Sequence, residues 1–459
     1  MRGKNAAFCT ILLSFINLII ILLGIAVFRA LILHEDEILD ICNSGDVDYI
    51  PDNRGISGRF SEALKFQTIN YGFHNYNRDA LSNFISFLTI SFPFVHSSPL
   101  VSREVVNNLS LLYYVQGSNK KLKPYLLSGH LDVVPVEESQ WEVPPFSGLI
   151  KDGYIWGRGS IDCKHIVMGI LEALEFLLEK GYQPQRSFYI AFGHDEESNG
   201  MDGAQQISSV LKSRNVELEY ILDEGTFVLD SFIPGIKSPV AFLSVSEKGS
   251  LNLEVKVKTV AGHSSTPPRE TAIVILAKAL SKLEGDVFLS MFGKGPEQQM
   301  FEKLAYCLNV LPSSASAQVN LRVHPAQTTE EALNFVQKVI NDDRVEVEVL
   351  SEYPPHPISP IDTFGFVTIR NSIKQIYKDS CVVPTTLIAN TDTRWYLNLT
   401  NSIYRFSLVR MLPSGISRFH GHNERISIKN YLELVNFFLH LIKNSDGADS
   451  VTKHTHEDL

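Results

Sequence analysis

The sequence is short of cysteine, has no basic excess and carries no long charged or repetitive tract, and each shortage closes off a class of function. Five cysteines in 459 residues, Cys9, Cys42, Cys163, Cys307 and Cys381, stand far apart. They give no CxxC or zinc-knuckle spacing, so no disulfide framework is implied. Forty-one Lys and Arg against 51 Asp and Glu leave a formal net charge of −10. That charge opposes a phosphate backbone, and nucleic acid is not an expected partner. With 44% hydrophobic and 20% charged residues the composition is that of a folded globular chain. Its length exceeds one ordinary core of about 150 residues, which predicts a large body plus an insert and excludes a peptide hormone.

What is present begins with an uncharged apolar run from Ala6 to Phe28. At about 1.5 Å per residue it is long enough for a bilayer core of about 30 Å. Arg2 and Lys4 precede it and His34-Glu35-Asp36-Glu37 follow, a bias that keeps the N-terminus cytosolic and the rest lumenal or extracellular. The run exceeds a signal core of about 7 to 15 residues and lacks a small-x-small cleavage site. Residues 1–34 are therefore read as a hydrophobic signal-anchor helix, with a cleaved signal peptide as the alternative, and the chain is expected to be single-pass or secreted. The sequons at Asn108 and Asn398 fit a translocated glycoprotein. Residues 446–459 read as a solvated tail.

Ser61 to Phe92 carries helical periodicity, and the chain then alternates strand and helix. Tyr125–Gly129, Ser187–Phe192 and Glu219–Leu222 are short, apolar and turn-bounded, and Ile166–Glu179 is helical up to Gly181. This predicts an α/β domain with a mainly parallel central sheet flanked by helices. From residue 250 the pattern changes. Leu251, Leu253, Val255 and Val257 alternate with polar residues, followed by a helix at Thr271–Leu283, a strand at Gln318–Val323, a helix at Thr329–Ile340 and a strand at Val345–Leu350. Residues 250–353 thus form an inserted α+β lid between two parts of the large domain, 60–249 and 354–445. The lid lacks one strand of a split β-α-β layer.

Three predicted strands end in candidate metal ligands: His130-Leu131-Asp132, His194-Asp195-Glu196-Glu197 and Asp223-Glu224. Strand carboxyl ends are where open α/β sheets bind ligands. Asp162 sits in the turn before the long helix, and His420-Gly421-His422-Asn423-Glu424 opens the last one. Imidazole and carboxylate are what zinc accepts. Residues two apart on an extended segment face the same way, so Asp132 can fix the tautomer of His130. Adjacent side chains face apart, so Glu196 and Glu197 can divide metal binding from general-base work.

The segments HLDVVP, WEVPPFSG, GRGSIDCK, GHDEESNG, ILDEG, EKGS, GHSSTPP, NTDTR and HGHNERI follow one another from Leu126 to Ile426. In that order they resemble the co-catalytic zinc metallopeptidase family of the aminoacylases, carboxypeptidase G and carboxypeptidase S. The resemblance implies two zinc ions per subunit, one held by His130 and Asp223, the other by Glu197 and His422, with Asp162 bridging. It makes Glu196 the general base and Asp132 the support of His130. It also implies that His263, otherwise simply a turn residue before Pro267-Pro268, donates to the oxyanion across a homodimer. In this setting Arg322 and Arg394 are candidates for a bidentate hold on a substrate carboxylate. The activity implied is amide hydrolysis of N-acyl, especially fatty-acyl, amino acids by a water held between the metals, reversible when fatty acid and amino acid are abundant. A dipeptidase of the carboxypeptidase S type and a silent binding ectodomain are the alternatives, the second because the resemblance implies a longer lid than the interval 285–316 provides. Cys163 stands after Asp162 where relatives carry an acid.

Overall fold

Short buried runs, one of them interrupted by arginine, build an eight-stranded sheet. Its order is Val101–Val106, Ser110–Val115, Phe188–Gly193, Tyr125–His130, Ile221–Leu229, Ile403–Met411, Val240–Glu247, Cys381–Leu387. The computed structural model describes residues 49–231, 238–259, 262–263, 270–282, 310–311 and 314–446. These belong to the unit Ile41–Leu459; the other unit, Met1–Asp40, lies outside them.

The four strands from Phe188–Gly193 to Ile403–Met411 run parallel and deliver their carboxyl ends to one side. The edges differ. Val101–Val106 and Ser110–Val115 form an antiparallel hairpin, and Ser110–Val115 is antiparallel to Phe188–Gly193. Val240–Glu247 opposes Ile403–Met411 but runs with Cys381–Leu387. The expectation of a mainly parallel sheet is therefore corrected to a mixed one. The hairpin is possible because Asn107 and Asn108 both take positive φ, 46° and 69°, a conformation asparagine tolerates better than most residues.

The helix Lys164–Glu179 is buried on nearly every face because it lies between the sheet and the helix Ile428–Asn444. Their crossing is close: a Cβ on Gly169 would stand 2.7 Å from Leu434 Cδ2. Each fully buried Leu, Ile or Phe at this interface contributes about 1.5 to 3 kcal/mol. The helical stretch at 61–92 is divided into Ile56–Ala63, Arg78–Ser91 and Pro93–Ser97. Asn77 caps the middle helix by accepting from Ala80 N, and between the first two helices Ile69 bridges to Val133 in parallel.

The inserted layer is a three-stranded antiparallel sheet, Ser314–Val323, Gly249–Lys258, Val345–Tyr353. Leu251, Leu253, Val255 and Val257 of its central strand meet Ile275 and Leu276 of the helix Ala272–Lys282 and Val336 of the helix Thr329–Ile340. Thr328 and Glu331 close a capping box on the second helix. Residues 283–309 and 312–313, where the lid was read as shortened, fall outside the described residues.

The single-pass placement is not upheld: among the described residues no helix is long and apolar enough to cross a membrane. The hydrophobic helix read at residues 1–34, with its run Ala6–Phe28, lies outside the described residues, as does the tail from 447.

Candidate metal centre

His130 ends its strand and is almost wholly buried. Its Nδ1 lies 3.0 Å from the Asp132 carbonyl oxygen and 3.2 Å from Asp132 Oδ1. With Nδ1–H donating there, Nε2 keeps its lone pair for the opposite side. That side holds Asp162 Oδ1 at 3.1 Å and Glu224 Oε1 at 3.3 Å. Asp132 is itself fixed by Asn70 Nδ2 at 2.7 Å and by the amides of Glu196 and Glu197 at 3.2 Å. Burial alone would raise the Asp132 pKa, but hydrogen bonds from His130 and Asn70 outweigh it and hold the carboxyl below its usual range.

The second imidazole is His420. Its Nε2 stands 3.2 Å from Asp162 Oδ2 and 3.2 Å from Glu197 Oε2. These hydrogen bonds push its pKa up to about 10. His420 and His422, the residue expected at this place, are both exposed and stand in neither candidate metal grouping; it is His420 whose ring nitrogen meets the acids. His420 and Asn423 take positive φ, 56° and 57°, and the turn they make carries the first histidine of the pair to the acids.

At the third strand Asp223 is the residue expected to bind with His130, and the side chain that meets His130 Nε2 is Glu224. Against Ile403–Met411, Asp223 pairs with Arg405 and Thr226 with Phe406, so Glu224 and Gly225 are extra residues in a bulge. A bulge re-aims side chains. Asp223 Oδ1 accepts from Glu224 N, and its Oδ2, like Glu197 Oε1, is buried without a hydrogen-bond partner.

Among the described residues two groups of side chains could hold a metal, His130 with Cys163 and Glu224, and His130 with Asp162 and Glu197; within each, the ligand atoms lie within 4.8 Å of one another. The donor chemistry fits. Burial, then the Asp162 charge, raises Glu197 to about 7, and burial raises Glu224 to about 7 with Asp162 adding against the pull of His130. Carboxyls crowded this way ionise together only beside a compensating cation. Glu197 Oε1 is buried with no hydrogen-bond partner, which is what a metal-facing oxygen requires.

Glu196 does not touch either imidazole. Burial, then the charges of Glu224 and Asp392, lift it well above the usual carboxylate range. Arg394 Nη2 is 3.7 Å from its Oε1, and Arg394 also donates to Asn199 Oδ1 at 3.0 Å and faces the Tyr353 ring at 5.4 Å. Arg322 reaches from the inserted sheet to Asn390 Oδ1 at 2.5 Å. Asp392 is a buried acid that sequence reasoning passed over, although NTDTR was noted as a motif. A Cβ on Gly200 or Gly193 would collide with its carboxylate oxygens, so two glycines make room for it. His263 is described in its backbone alone, in the two-residue strand Gly262–His263 paired with Val310–Leu311; its side chain lies outside the description. Asn108 and Asn398 are exposed.

Residues 126–444 match the model of Peptidase family M20/M25/M40. The chain belongs to this family. It is 43% identical over 445 residues to N-fatty-acyl-amino acid synthase/hydrolase PM20D1 of Xenopus tropicalis, covering 86% of this chain and 87% of that one. A carboxypeptidase S-like protein of Dictyostelium discoideum is 38% identical over 85% of each chain. Among solved structures, an M20 family metallo-carboxypeptidase of Sulfolobus solfataricus superimposes with a TM-score of 0.64 at 17% identity, over 85% of this chain and 99% of the other. This is the M20 fold, and the chain is a hydrolase of carbon–nitrogen amide bonds.

Proposed function

We propose that this M20 enzyme hydrolyses N-fatty-acyl amino acids, and forms them from fatty acid and amino acid when both are plentiful, using two zinc ions. His130 and Glu224 would hold one ion, His420 and Glu197 the other, with Asp162 between them. The observation that carries the reading is the Asp162 carboxylate, whose two oxygens face two different imidazoles at 3.1 and 3.2 Å. One carboxylate shared in this way supports the paired-metal reading.

Bound zinc would supply Lewis acidity toward the amide carbonyl and lower the pKa of an attacking water. Glu196, next to Glu197 and without an imidazole contact, is the group to take the water proton and pass it to the departing nitrogen. Asp132 keeps His130 in one tautomer. Arg322 and Arg394 hold the substrate carboxylate, and a homodimer would allow His263 of the partner subunit to serve the oxyanion. Fatty-acyl amino acids are preferred as substrates because of the PM20D1 relative; the carboxypeptidase S-like relative supports short peptides as a second reading. Purified, zinc-loaded protein assayed on N-oleoyl-phenylalanine and on dipeptides decides between them. Cleavage of the dipeptides alone would remove the fatty-acyl reading.

A further inference from the structure

Arg322 and Arg394 come from different parts of the chain, and a single buried carboxylate ties them together. Arg322 Nη1 donates to Asn390 Oδ1. Asn390 must present that oxygen, because its Nδ2 donates to Glu247 Oε1 at 2.9 Å and to the Lys248 carbonyl at 3.0 Å. Glu247 is fully buried at the end of Val240–Glu247, just before the chain enters the inserted layer. Its Oε1 also accepts from Thr391 N at 3.0 Å. Its Oε2 accepts from Thr391 Oγ1 at 2.9 Å, Thr393 Oγ1 at 3.2 Å and Arg405 Nε at 2.9 Å. The Thr391 carbonyl in turn accepts from Arg394 Nε at 2.9 Å.

The network is closed from behind by His356, whose Nδ1 accepts from Arg405 Nη2 at 2.7 Å and whose main-chain N–H donates to the Glu247 carbonyl at 3.0 Å. Arg322 therefore depends on Glu247 through one amide, and Arg394 through one threonine. Burial, with the Arg394 charge adding and Glu247 opposing, lowers the pKa of Arg322, and an anion beside the Arg322 guanidinium favours its charged form. A neutral group there would gain far less.

We propose that Glu247 and Asn390 are positioning residues that align Arg322 and Arg394 as two arms of one receiver for the carboxylate of an N-acyl amino acid. The proposal rests on the function put forward above. Because Arg394 also lies beside Glu196, the network sets the distance between the captured carboxylate and the base as well. Loss of Asn390 frees Arg322 and leaves Arg394 and the metal ligands in place.

The test compares N-oleoyl-phenylalanine with N-oleoyl-phenylalaninamide, which lacks the charge, in zinc-loaded enzyme. Wild type should prefer the acid, and Asn390→Ala should cut that preference roughly tenfold through KM while the amide is handled as before. Glu247→Gln should do the same; if it does not fold, because Arg405 is left buried without its counter-charge, Asn390→Ala still decides. Equal losses on both compounds, or an unchanged preference, would overturn the proposal. Binding to the Glu196→Gln protein, measured by calorimetry, separates this from failure of the functional reading. A wild type that cleaves neither compound, with acid binding that Asn390→Ala weakens, removes the proposed function and keeps the positioning role. No preference for the acid in either binding or turnover removes both.

Discussion

Glu224 Oε1 lies 3.3 Å from His130 Nε2, while its neighbour Asp223 pairs in register with Arg405. Glu224→Ala is expected to lose about half of the bound zinc after dialysis, since one of the two first-choice donors of that ion is gone. Asp223→Asn should retain both ions. Elemental analysis of the two variants checks this, and the reverse result would return the ligand role to Asp223.

The two histidines of the late loop should separate cleanly. His420→Ala removes the imidazole that faces Asp162 and Glu197 and should lower kcat/KM at least about a hundredfold together with zinc content. His422→Ala, at an exposed position, should stay within about twofold of wild type, and a larger loss would restore it as a ligand candidate.

Glu196→Gln keeps the shape of the site and the neighbouring Glu197. Both metals are expected to remain while turnover falls about 10² to 10⁴-fold, the usual range for loss of a general base. A variant with full metal and near wild-type rate would assign the proton transfer elsewhere.

His356, which is not among the proposed metal ligands, provides a pH signature. Burial, with the Arg405 charge adding and Glu247 opposing, pushes its pKa down from 6.5 to about 4. The unfolded chain takes up a proton below pH 6.5 that the folded chain refuses until about pH 4. The contribution of neutral His356 is therefore full above pH 6.5 and lost as pH falls through 4, amounting to about 3 kcal/mol. Urea midpoints should fall across that window, and His356→Asn should flatten the fall. An identical slope in the variant would mean that His356 does not titrate there.

Gly225 allows the bulge that aims Glu224. A Cβ there would stand 2.6 Å from Arg405 Cβ and 2.8 Å from the Arg405 carbonyl carbon, so a main chain has to move. Gly225→Ala should destabilise the fold by about 1 to 3 kcal/mol and weaken zinc binding on the His130 side. Denaturation and metal analysis of that variant would reveal a tolerant bulge if neither changed.

The strand ends carrying His130, Glu196 and Glu197, the helix after Asp162 and the alternation of Gly249–Lys258 were legible because each is a local pattern of apolar spacing. Glu224 and His420 stood among the candidates, but the resemblance placed the roles on Asp223 and His422. A bulge cancels the two-residue alternation, which favours neither acid on its own, and positive φ at His420 depends on a turn that spacing does not encode. Ile403–Met411, the strand beside Ile221–Leu229, also escaped reading, because Arg405 and Arg410 break its apolar run. Arg405 is buried all the same, held by Glu247 from a strand more than 150 residues earlier, and no window along the chain contains both.

Ser250 pairs with Tyr353 across the inserted sheet, and a Cβ on Gly249 would meet Pro355 at 2.7 Å, so the chain leaves the body and returns to it at one point. A segment with adjoining entry and exit behaves as a detachable module: it can lengthen, shrink or be exchanged in evolution without rethreading the eight-stranded sheet. The proposed metal ligands His130, Asp162, Glu197, Glu224 and His420 lie outside 250–353, whereas Arg322 and His263 lie within it. Changes inside the module can therefore retune which acid-bearing molecules are admitted while the proposed metal ligands are inherited intact.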